Sequence, residues 1–417
     1  MKYIGLADCN NFFVSCERVF RPDLWDKPVV VLSSNDGAIV ARSQEVKELG
    51  VPMGVPYFKV RDEFEKAGVT IFSSNFDLYS DISKRVMDTL REELGVIYQY
   101  SVDESFFKME LKSVAEAKVE LTRLKTLVQK NIGIPLSFGL APTMTLAKYA
   151  SELEKRGSGV SVLTLEGWEN QKNSVSMSEI WGVGGATTKK MREHNLITVA
   201  DFLSADNSRV EKIFGVNGTR LRSELSGIPA KMPEGDEVKQ KSIMSTRSFS
   251  KTTTSLAVLE EALAYHTARA SEELRSSHTK AGKISILLGT NRYSEWVLQG
   301  GTAESMLPYP TNDTIVLLRE VERLAHTIYT KDVPYKKVGV VLSQITADDH
   351  MQLDLFSSQK EDDNKLMSVI DTVNKSLGRD SITIGRARYK ESWSHNHNFR
   401  SQRYTTSWND IPRVNLK

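Results

Sequence analysis

Three acidic residues are the strongest chemical signal in the sequence. Asp103 and Glu104 are adjacent in the segment YSVDESFFKM, among apolar and aromatic residues, where their repulsion and partial burial both cost stability. Asp8 follows a short apolar run near the N-terminus. If the three carboxylates converge, bound Mg²⁺ keeps all of them ionised, and two such ions about 4 Å apart support in-line phosphoryl transfer. The alternative is that Asp103 and Glu104 are turn residues of a hairpin and that Asp8 is a surface strand end.

The elements that must position these acids are predicted from hydrophobic periodicity. Apolar runs predict buried strands at 3–6, 28–32, 97–100, 106–109 and 135–140. Apolar residues at helical spacing predict helices at 78–94, at 114–128 with an end at Gly133, and through 146–150 with Thr143 as N-cap. This order predicts an α+β sheet with helices on one face, of the split βαβ kind. In such a sheet the end of the first strand, with Asp8, lies beside the turn that carries Asp103 and Glu104.

Size and composition indicate a multidomain globular protein. At 417 residues the chain has room for two to four domains, and 40% hydrophobic with 26% charged residues is ordinary for a globular chain. No apolar run reaches the ~18 residues of a membrane span, and the N-terminus lacks the apolar core of a signal peptide, so we expect a cytoplasmic protein without a membrane partner. Only Cys9 and Cys16 are present, which excludes a multi-cysteine metal site. The net charge of +2 is too small to indicate nucleic-acid binding by itself.

Several segments, in order, resemble the motifs of one enzyme family. They are ADCNNFFVSCERVFRPDLW, FSSNFDLYSDISKRVM, YSVDESF, GLAPTMTLAKYASELEK and IWGVGG. These segments resemble Y-family translesion DNA polymerases, and most of all the UmuC subfamily, over the whole chain. The resemblance implies an error-prone polymerase of the SOS response that copies damaged templates. It also implies a right-hand α+β fold with these parts: a ferredoxin-like palm (1–12 and 76–168), small fingers (13–75), a helix-hairpin-helix thumb (169–232), an α+β little finger (242–346) and a C-terminal extension (347–417).

The resemblance also assigns roles to residues near the three acids. It implies that Asp8, Asp103 and Glu104 are catalytic ligands of two Mg²⁺ ions, for which Mn²⁺ can substitute, with the backbone carbonyl of Cys9 as a further ligand. Phe13 holds the position of the family's steric gate against the ribose 2′-hydroxyl of the incoming deoxynucleoside triphosphate. Phe12 is expected to pack nearby. The alternative is that Phe12 and Phe13 are core aromatics at a strand-to-helix junction.

Two basic residues match positions that contact the nucleotide in this family, and a third candidate, Arg42, lies close by in the expected fingers. Lys47 and Lys155 are expected to hold the triphosphate as point cations, and Arg42 to contact the nucleotide or the template base. Much of the wider family has Tyr and Arg where this chain has Gln44 and Lys47, whereas UmuC-like members also have Lys at the second position. The alternative for each lysine is a solvated position on a helix face.

Candidate DNA contacts lie in two later segments. Residues 180–202 read as helix, Gly-rich hairpin and helix, which can cradle a phosphate on backbone N–H groups without reading sequence; a simple tight turn is the alternative. The candidate residues there are Gly182, Gly184, Gly185, Lys189 and Lys190. Residues 242–346 alternate strand-like and helix-like segments, and their candidate phosphate contacts, which a solvated strand edge would equally explain, are Arg247, Lys251, Lys283 and Arg292.

The last seventy residues are polar and contain one short linear motif. The pentapeptide QLDLF at 352–356 resembles the sliding-clamp peptide of bacterial polymerases, in which a glutamine hydrogen-bonds and apolar side chains fill a pocket. A chance amphipathic segment is the alternative. The expected clamp contacts are Gln352, Leu353, Leu355 and Phe356. The extension as a whole implies contacts with a UmuD′-like dimer and RecA, while His395 and His397 are expected to be surface residues rather than metal ligands.

Two other classes of function stay open at this point. A DNA- and clamp-binding scaffold without catalysis would keep the shape but has no use for three acids and two lysines. A cyclase on the same palm would use the acids but has no place for the Gly-rich hairpin or the clamp peptide. The polymerase interpretation accounts for all of these features, with primer-template DNA as its macromolecular substrate.

Overall fold

The computed structural model describes residues 2–110, 112–155, 157–230, 240–291, 294–296, 299–348, 364–378, 380–385, 387 and 397–411. The chain divides into two compact units. The first unit contains Met1–Val238 together with His397–Lys417, and the second contains Lys239–Asn396. Within the described ranges, none of the helices combines the length and hydropathy that a bilayer crossing requires.

The first unit mixes strands and helices along its whole length. Its strands are β1 (Lys2–Cys9), β2 (Val29–Leu32), β3 (Ile39–Arg42), β4 (Thr70–Ser73), β5 (Ile97–Gln99), β6 (Glu104–Glu110), β7 (Leu136–Ala141) and β8 (Val160–Val162). Its helices are α1 (Phe12–Phe20), α2 (Gln44–Glu48), α3 (Arg61–Ala67), α4 (Phe76–Leu94), α5 (Val114–Ile132), α6 (Met144–Leu153), α7 (Leu165–Gln171), α8 (Gly185–Glu193), α9 (Val199–Ser204) and α10 (Asn207–Leu225). The α+β class predicted from the sequence is confirmed.

A five-stranded sheet in the order β5-β6-β1-β7-β8 positions the acids. β1 is its middle strand and pairs antiparallel with both β6 and β7. Thr143 caps α6 through the backbone N–H of Leu146, and Gly133 ends α5 in the left-handed conformation, as the sequence predicts. Short caps of this kind fix where each helix leaves the sheet.

The expectation of helices on only one face of this sheet is wrong. Tyr3 and Ala7 of β1 pack in a core with residues of α4 and α5, whereas Ile4 and Leu6 pack on the opposite face with residues of α6. Successive residues of a strand point to opposite faces, so a strand that is buried along its whole length needs cover on both sides. Apolar side chains at both odd and even positions of β1 were the sequence signal for this arrangement.

A smaller sheet in the order β3-β2-β4 lies between the two halves of the larger one in sequence. β2 pairs antiparallel with β3 and parallel with β4. Val30, Leu32 and Ile39 form a separate core there with Val46 of α2 and Phe64 of α3. This part of the chain is the one expected to form the fingers.

Helices α7 to α10 follow the larger sheet and share one core with the α6 side of it. Gly182 has φ +87 in the turn before α8, and Gly215 has φ +62 inside α10, which it divides at a kink. A positive φ of this kind strongly favours glycine. One glycine therefore lies in the turn that precedes α8 and the other at the kink of α10, and the assignment of this region to a thumb stays a prediction.

The second unit is an antiparallel sheet covered by helices. Its elements are β9 (Ser242–Thr253), α11 (Leu256–Ser276), β10 (Thr279–Thr290), β11 (Gly301–Thr311), α12 (Thr314–Ile328), β12 (Tyr335–Ala347) and α13 (Asn364–Leu377). The strand order is β11-β10-β12-β9, and α11 and α12 pack with the sheet in one core. The sequence analysis did not find β11 or α13.

Residues 397–411 belong to the first unit, although they follow the second unit in the chain. Arg400 forms an isolated parallel bridge with Ser73 at the end of β4. Tyr404 stacks on Phe20 of α1, with ring centroids 4.6 Å apart. This return of the chain was not foreseen from the sequence.

Candidate active site

The strand register brings Asp8 and Glu104 together. Asp8 lies opposite Glu104 where β1 pairs with β6, and the backbone N–H of Cys9 donates to the carbonyl of Asp103 at 2.9 Å. Asp8 is only 3% exposed, which excludes a surface strand end. The Asp103 carboxylate accepts a hydrogen bond from the hydroxyl of Ser101 at 2.5 Å. The strand pairing therefore brings Asp8 and Glu104 together, with the Asp103 carbonyl beside Cys9, while a single site of all three carboxylates stays a prediction.

Lys148 of α6 bridges two of the acids. Its Nζ lies 2.7 Å from Asp8 Oδ2 and also binds Glu104 Oε1. Lys155 contributes a second ammonium, 3.1 Å from Asp8 Oδ1 and 2.7 Å from Glu152 Oε1. A buried carboxylate that stays ionised is costly to the fold unless it is paired in this way.

The charges of this site shift the pKa values of its members in different directions. Burial alone would raise the pKa of Asp8, but the ammonium groups of Lys155 and Lys148 outweigh it and hold that pKa below its ordinary value. Burial raises the pKa of Glu104, and Lys148 only partly offsets this because Asp8 and Asp103 repel the second negative charge. Burial would lower the pKa of Lys148, but Asp8 and Glu104 raise it. The site is thus one tightly coupled cluster of charges.

Lys148 was missed in the sequence analysis, although a signal for it was present. It precedes Lys155 by seven residues, a spacing of two helical turns, although Lys155 itself lies two residues beyond the end of α6. Asn10 was missed as well: its Oδ1 accepts from Ser137 at 2.8 Å and its N–H donates to the carbonyl of Pro135 at 2.8 Å. These bonds tie the turn after Asp8 to β7.

The two aromatic residues after the turn have different environments. Phe12 is 4% exposed and packs in the core, which is the alternative left open for it. Phe13 is half-buried; its ring stacks on Tyr79 of α4 at a centroid distance of 4.6 Å and meets the edge of Phe76 at 5.9 Å. Phe13 is therefore the member of the pair that can reach a ligand.

The expected nucleotide-binding residues of the fingers lie at different distances from this turn. Lys47 of α2 donates from Nζ to Asn11 Oδ1 at 2.6 Å, and Asn11 is the residue that joins β1 to α1 with φ +48. Lys47 is thereby held at the turn that follows Asp8. Arg42 instead donates to the carbonyl of Val51 within the fingers.

The Gly-rich turn before α8 presents an open helix N-terminus. A Cβ added at Gly182, Gly184 or Gly185 would meet no atom within 4 Å, and Gly184 caps α8 without a side-chain hydrogen bond. Only Gly182 of the three needs its glycine for a positive φ. Lys189 and Lys190 are both exposed, and Lys190 donates to the carbonyl of Ile213 at 2.6 Å. Open backbone N–H groups of this kind can bind an anion by donating hydrogen bonds to it.

The prediction that Arg247 in the second unit contacts a DNA phosphate is corrected by its position in the fold. It is 3% exposed, on the same side of β9 as the core residues Ile243 and Phe249, so it is not available to a phosphate there. Lys283 pairs with Glu304 at 2.8 Å, and Lys251 is exposed. Arg292, His395 and the clamp residues Gln352, Leu353, Leu355 and Phe356 lie outside the described residues.

Solved structures of polymerases share this architecture. A chimera of the Y-family DNA polymerases Dbh and Dpo4 superposes with a TM-score of 0.69 at 19% identity, covering 83% of this chain and 99% of that chain. DinB from Sulfolobus solfataricus superposes with a TM-score of 0.53 at 21% identity, again over 83% of this chain and 99% of that chain. The fold is therefore that of a Y-family polymerase.

Sequence relatives extend the match over nearly the whole chain. Protein UmuC of Salmonella typhimurium is 33% identical over 98% of this chain and 99% of its own. Protein MucB of Escherichia coli is 33% identical over 99% and 100%. DNA polymerase IV 1 of Bacillus subtilis is 25% identical over 92% of each chain.

Family models match three segments. The impB/mucB/samB family matches residues 7–152, its C-terminal domain matches residues 240–355, and a domain of unknown function matches residues 364–414. The chain therefore belongs to the impB/mucB/samB family, as a UmuC-type Y-family DNA polymerase. The family resemblance seen in the motifs is confirmed.

Proposed function

We propose that this translesion DNA polymerase extends a primer opposite damaged DNA at the Asp8, Asp103 and Glu104 site, in error-prone SOS synthesis. The observation that carries the proposal is that Asp8 and Glu104, far apart in sequence, share one ammonium at the paired ends of two neighbouring strands. A buried carboxylate pair of this kind is costly to a fold unless a cation offsets its charge.

The three acids fit a divalent cation. Y-family polymerases use divalent metal ions, and carboxylate and carbonyl oxygens are the donors that Mg²⁺ prefers. The site already accepts a positive charge between Asp8 and Glu104. We propose that Asp8, Asp103, Glu104 and the Cys9 carbonyl hold two Mg²⁺ ions, or Mn²⁺ in their place. When bound, such a pair supplies stabilisation of charge on the attacking and leaving oxygens of phosphoryl transfer.

The neighbouring residues have separate tasks in this proposal. Lys155 and Lys47 supply positive charge to the triphosphate, and both are anchored close to the turn after Asp8, at Asp8 itself and at Asn11. Phe13 packs against the sugar of the nucleotide and excludes a ribose 2′-hydroxyl by its bulk. Its stacking on Tyr79 supports this role because a ring must be held still to exclude one atom.

The open N-terminus of α8 is the proposed DNA grip. The backbone N–H groups around Gly184 and Gly185 are unobstructed, and Lys189 adds exposed charge. A phosphate bound there leaves the base sequence unread, as a polymerase requires. A sliding clamp at 352–356, a UmuD′-like dimer and RecA are proposed as partners on the basis of the family resemblance.

Primer extension tests the proposal. The full chain is given primer-template DNA, undamaged or with an abasic site, and deoxynucleoside triphosphates with and without Mg²⁺, alone and with UmuD′-like and RecA proteins. Extension of both templates in a Mg²⁺-dependent manner is expected. DNA and clamp binding without extension under every condition would indicate the scaffold, and turnover of a nucleoside triphosphate without a primer would indicate the cyclase.

A further inference from the structure

Residues 397–404, here named the tail strap, cross three elements that surround the proposed sugar-binding residue. The N–H of Ser73, at the end of β4, donates to the carbonyl of Phe399 at 3.0 Å. Asn75, just before α4, donates to the hydroxyl of Ser401 at 2.9 Å and to the carbonyl of Gln402 at 3.1 Å. Tyr404 stacks on Phe20 of α1. The strap is therefore attached by specific bonds and not only by apolar contact.

One contact of the strap reaches a fully buried acid. Glu17 of α1 is 0% exposed, and its Oε1 accepts hydrogen bonds from the hydroxyl of Ser401 at 3.0 Å and from the hydroxyl of Tyr79 at 2.7 Å. Its Oε2 has no hydrogen-bond partner within the part of the chain that the structure describes. The carboxyl group is thus held from one side only, by two hydroxyl groups from distant parts of the sequence.

Tyr79 connects this acid to Phe13. The Tyr79 ring lies almost parallel to the Phe13 ring, with 15° between the planes, while its hydroxyl is fixed on Glu17. Tyr79 is itself only 1% exposed, so its ring has little space in which to turn. A displacement of Glu17 would move the Tyr79 hydroxyl and tilt the surface on which Phe13 rests.

We propose that the tail strap is a positioning element for sugar selection: Ser401, acting through Glu17 and Tyr79, fixes the orientation of the Phe13 ring. This inference rests on the proposed role of Phe13 at the sugar of the nucleotide. Ser401, Glu17 and Tyr79 are positioning residues, since Phe13 alone of the four is expected to touch the substrate. The inference gives a task to a segment whose family model assigns none.

The experiment measures sugar discrimination, the ratio of kcat/KM for a deoxynucleotide to that for the matching ribonucleotide, in single-nucleotide primer extension by the full chain. Ser401→Ala removes the hydrogen bond to the buried carboxyl group of Glu17, together with the one that the hydroxyl accepts from Asn75. We therefore expect discrimination to fall about fivefold while kcat for the deoxynucleotide changes less than about twofold. Ser401→Thr keeps the hydroxyl and should restore discrimination. Gln402→Ala is the matched control, because that neighbouring side chain is exposed and, among the described residues, the bond of Gln402 to Asn75 is made by its backbone carbonyl.

Tyr79→Phe provides a second route to the same result. It keeps the ring that stacks on Phe13 and removes only the hydroxyl that binds Glu17, so discrimination should fall by a similar factor. In a Phe13→Ala background, neither change should lower discrimination further, because the ring that they position is gone. Thermal unfolding of each variant identifies any general loss of the fold.

The outcomes separate this inference from the function on which it rests. If Phe13→Ala lowers discrimination but Ser401→Ala and Tyr79→Phe do not, the strap has no positioning role and the assignment of Phe13 stands. If Phe13→Ala leaves discrimination unchanged, that assignment is wrong and the inference falls with it. Equal losses for both sugars in the strap variants would reduce the strap to a structural support.

Discussion

Two buried carboxyl groups of the first unit, Asp8 and Glu17, differ in the partners that surround them. Asp8 has two ammonium groups, which hold its pKa low despite burial. Glu17 has two hydroxyl groups, and burial raises its pKa from 4.5 to about 7 because those bonds, with the charges of Arg21 and Arg400, offset burial only in part. A carboxyl group that stays ionised suits cation binding, whereas a carboxyl group whose uncharged form is favoured by burial suits the positioning of its neighbours.

The largest effect that tests this contrast is expected for Asp8→Asn. We expect kcat/KM of primer extension to fall by about 10³-fold or more, because the charge that serves the reaction is removed. The fold should persist, since Lys148 keeps Glu104 and Lys155 keeps Glu152. Asp88→Asn, on the exposed side of α4, is the control and should retain full activity. Substantial activity in Asp8→Asn would contradict its role.

The next largest effect is expected for Lys148→Met in the absence of divalent ions. Asp8 and Glu104 then lose the cation that they share, so the free energy of unfolding should fall by about 2 to 3 kcal/mol in urea denaturation. Mg²⁺ should recover part of this loss, since a bound cation stabilises the folded state. Lys84→Met removes an exposed ion pair and should change little. A loss that Mg²⁺ does not alter would argue against cation binding by the two acids.

A smaller, pH-dependent effect is expected for Glu17→Gln. Because the folded-state pKa of Glu17 is raised, its stabilising contribution is complete below about pH 4.5 and is lost as the pH rises through about 7. Glutamine does not titrate, so the stability of Glu17→Gln relative to the parent should rise between pH 5 and pH 8, by on the order of 2 kcal/mol. Urea unfolding at several pH values measures this difference.

Gln402→Ala, which changes an exposed side chain that does not titrate, is the control for this measurement and should keep a constant difference from the parent across the same pH range. A difference between Glu17→Gln and the parent that stays constant with pH would mean that Glu17 ionises like an exposed acid. The contrast with Asp8 would then disappear.

The smallest effect is expected for Arg400→Ala in the tail strap. Arg400 pairs with Asp77 at 2.8 Å, but both side chains are partly exposed, so the pair should contribute no more than about 0.5 kcal/mol to stability. Sugar discrimination should stay within about twofold of the parent. A larger loss than that of Ser401→Ala would place the hold of the strap in this ion pair rather than in the bond to Glu17.

The three acids proposed as catalytic were within reach of sequence analysis for a physical reason. Adjacent carboxylates in an apolar setting are unusual enough to need an explanation, and an antiparallel pairing predicts which strand end meets them. Lys148 could have been found from its spacing to Lys155. The elements of the second unit were harder to predict from the sequence. Strand β11 has two prolines and few β-branched residues, so its composition is not typical of a strand.

The tail strap was out of reach for the opposite reason. Ser401 meets Glu17 across 384 residues, and serine and glutamate carry no local signal of such a contact. Glu17 sits in an amphipathic helix where a glutamate reads as solvated, and only the packed structure reveals that it is fully buried. Contacts of this kind depend on which surfaces the fold leaves adjacent, and no hydrophobic period encodes that.

The tail strap also separates two properties of the polymerase, DNA synthesis and sugar discrimination, that are normally assumed to be inherited together. Its residues are translated after the acids, the lysines and Phe13. A nonsense mutation between residues 348 and 397 would yield a product that keeps the acids, the lysines and Phe13. That product would lose the tail strap that is proposed to position Phe13. On the proposed roles, such a truncated polymerase would still copy DNA but would incorporate more ribonucleotides. The truncation would therefore be detected by the ribonucleotide content of the DNA that the polymerase makes, and not by the rate of synthesis.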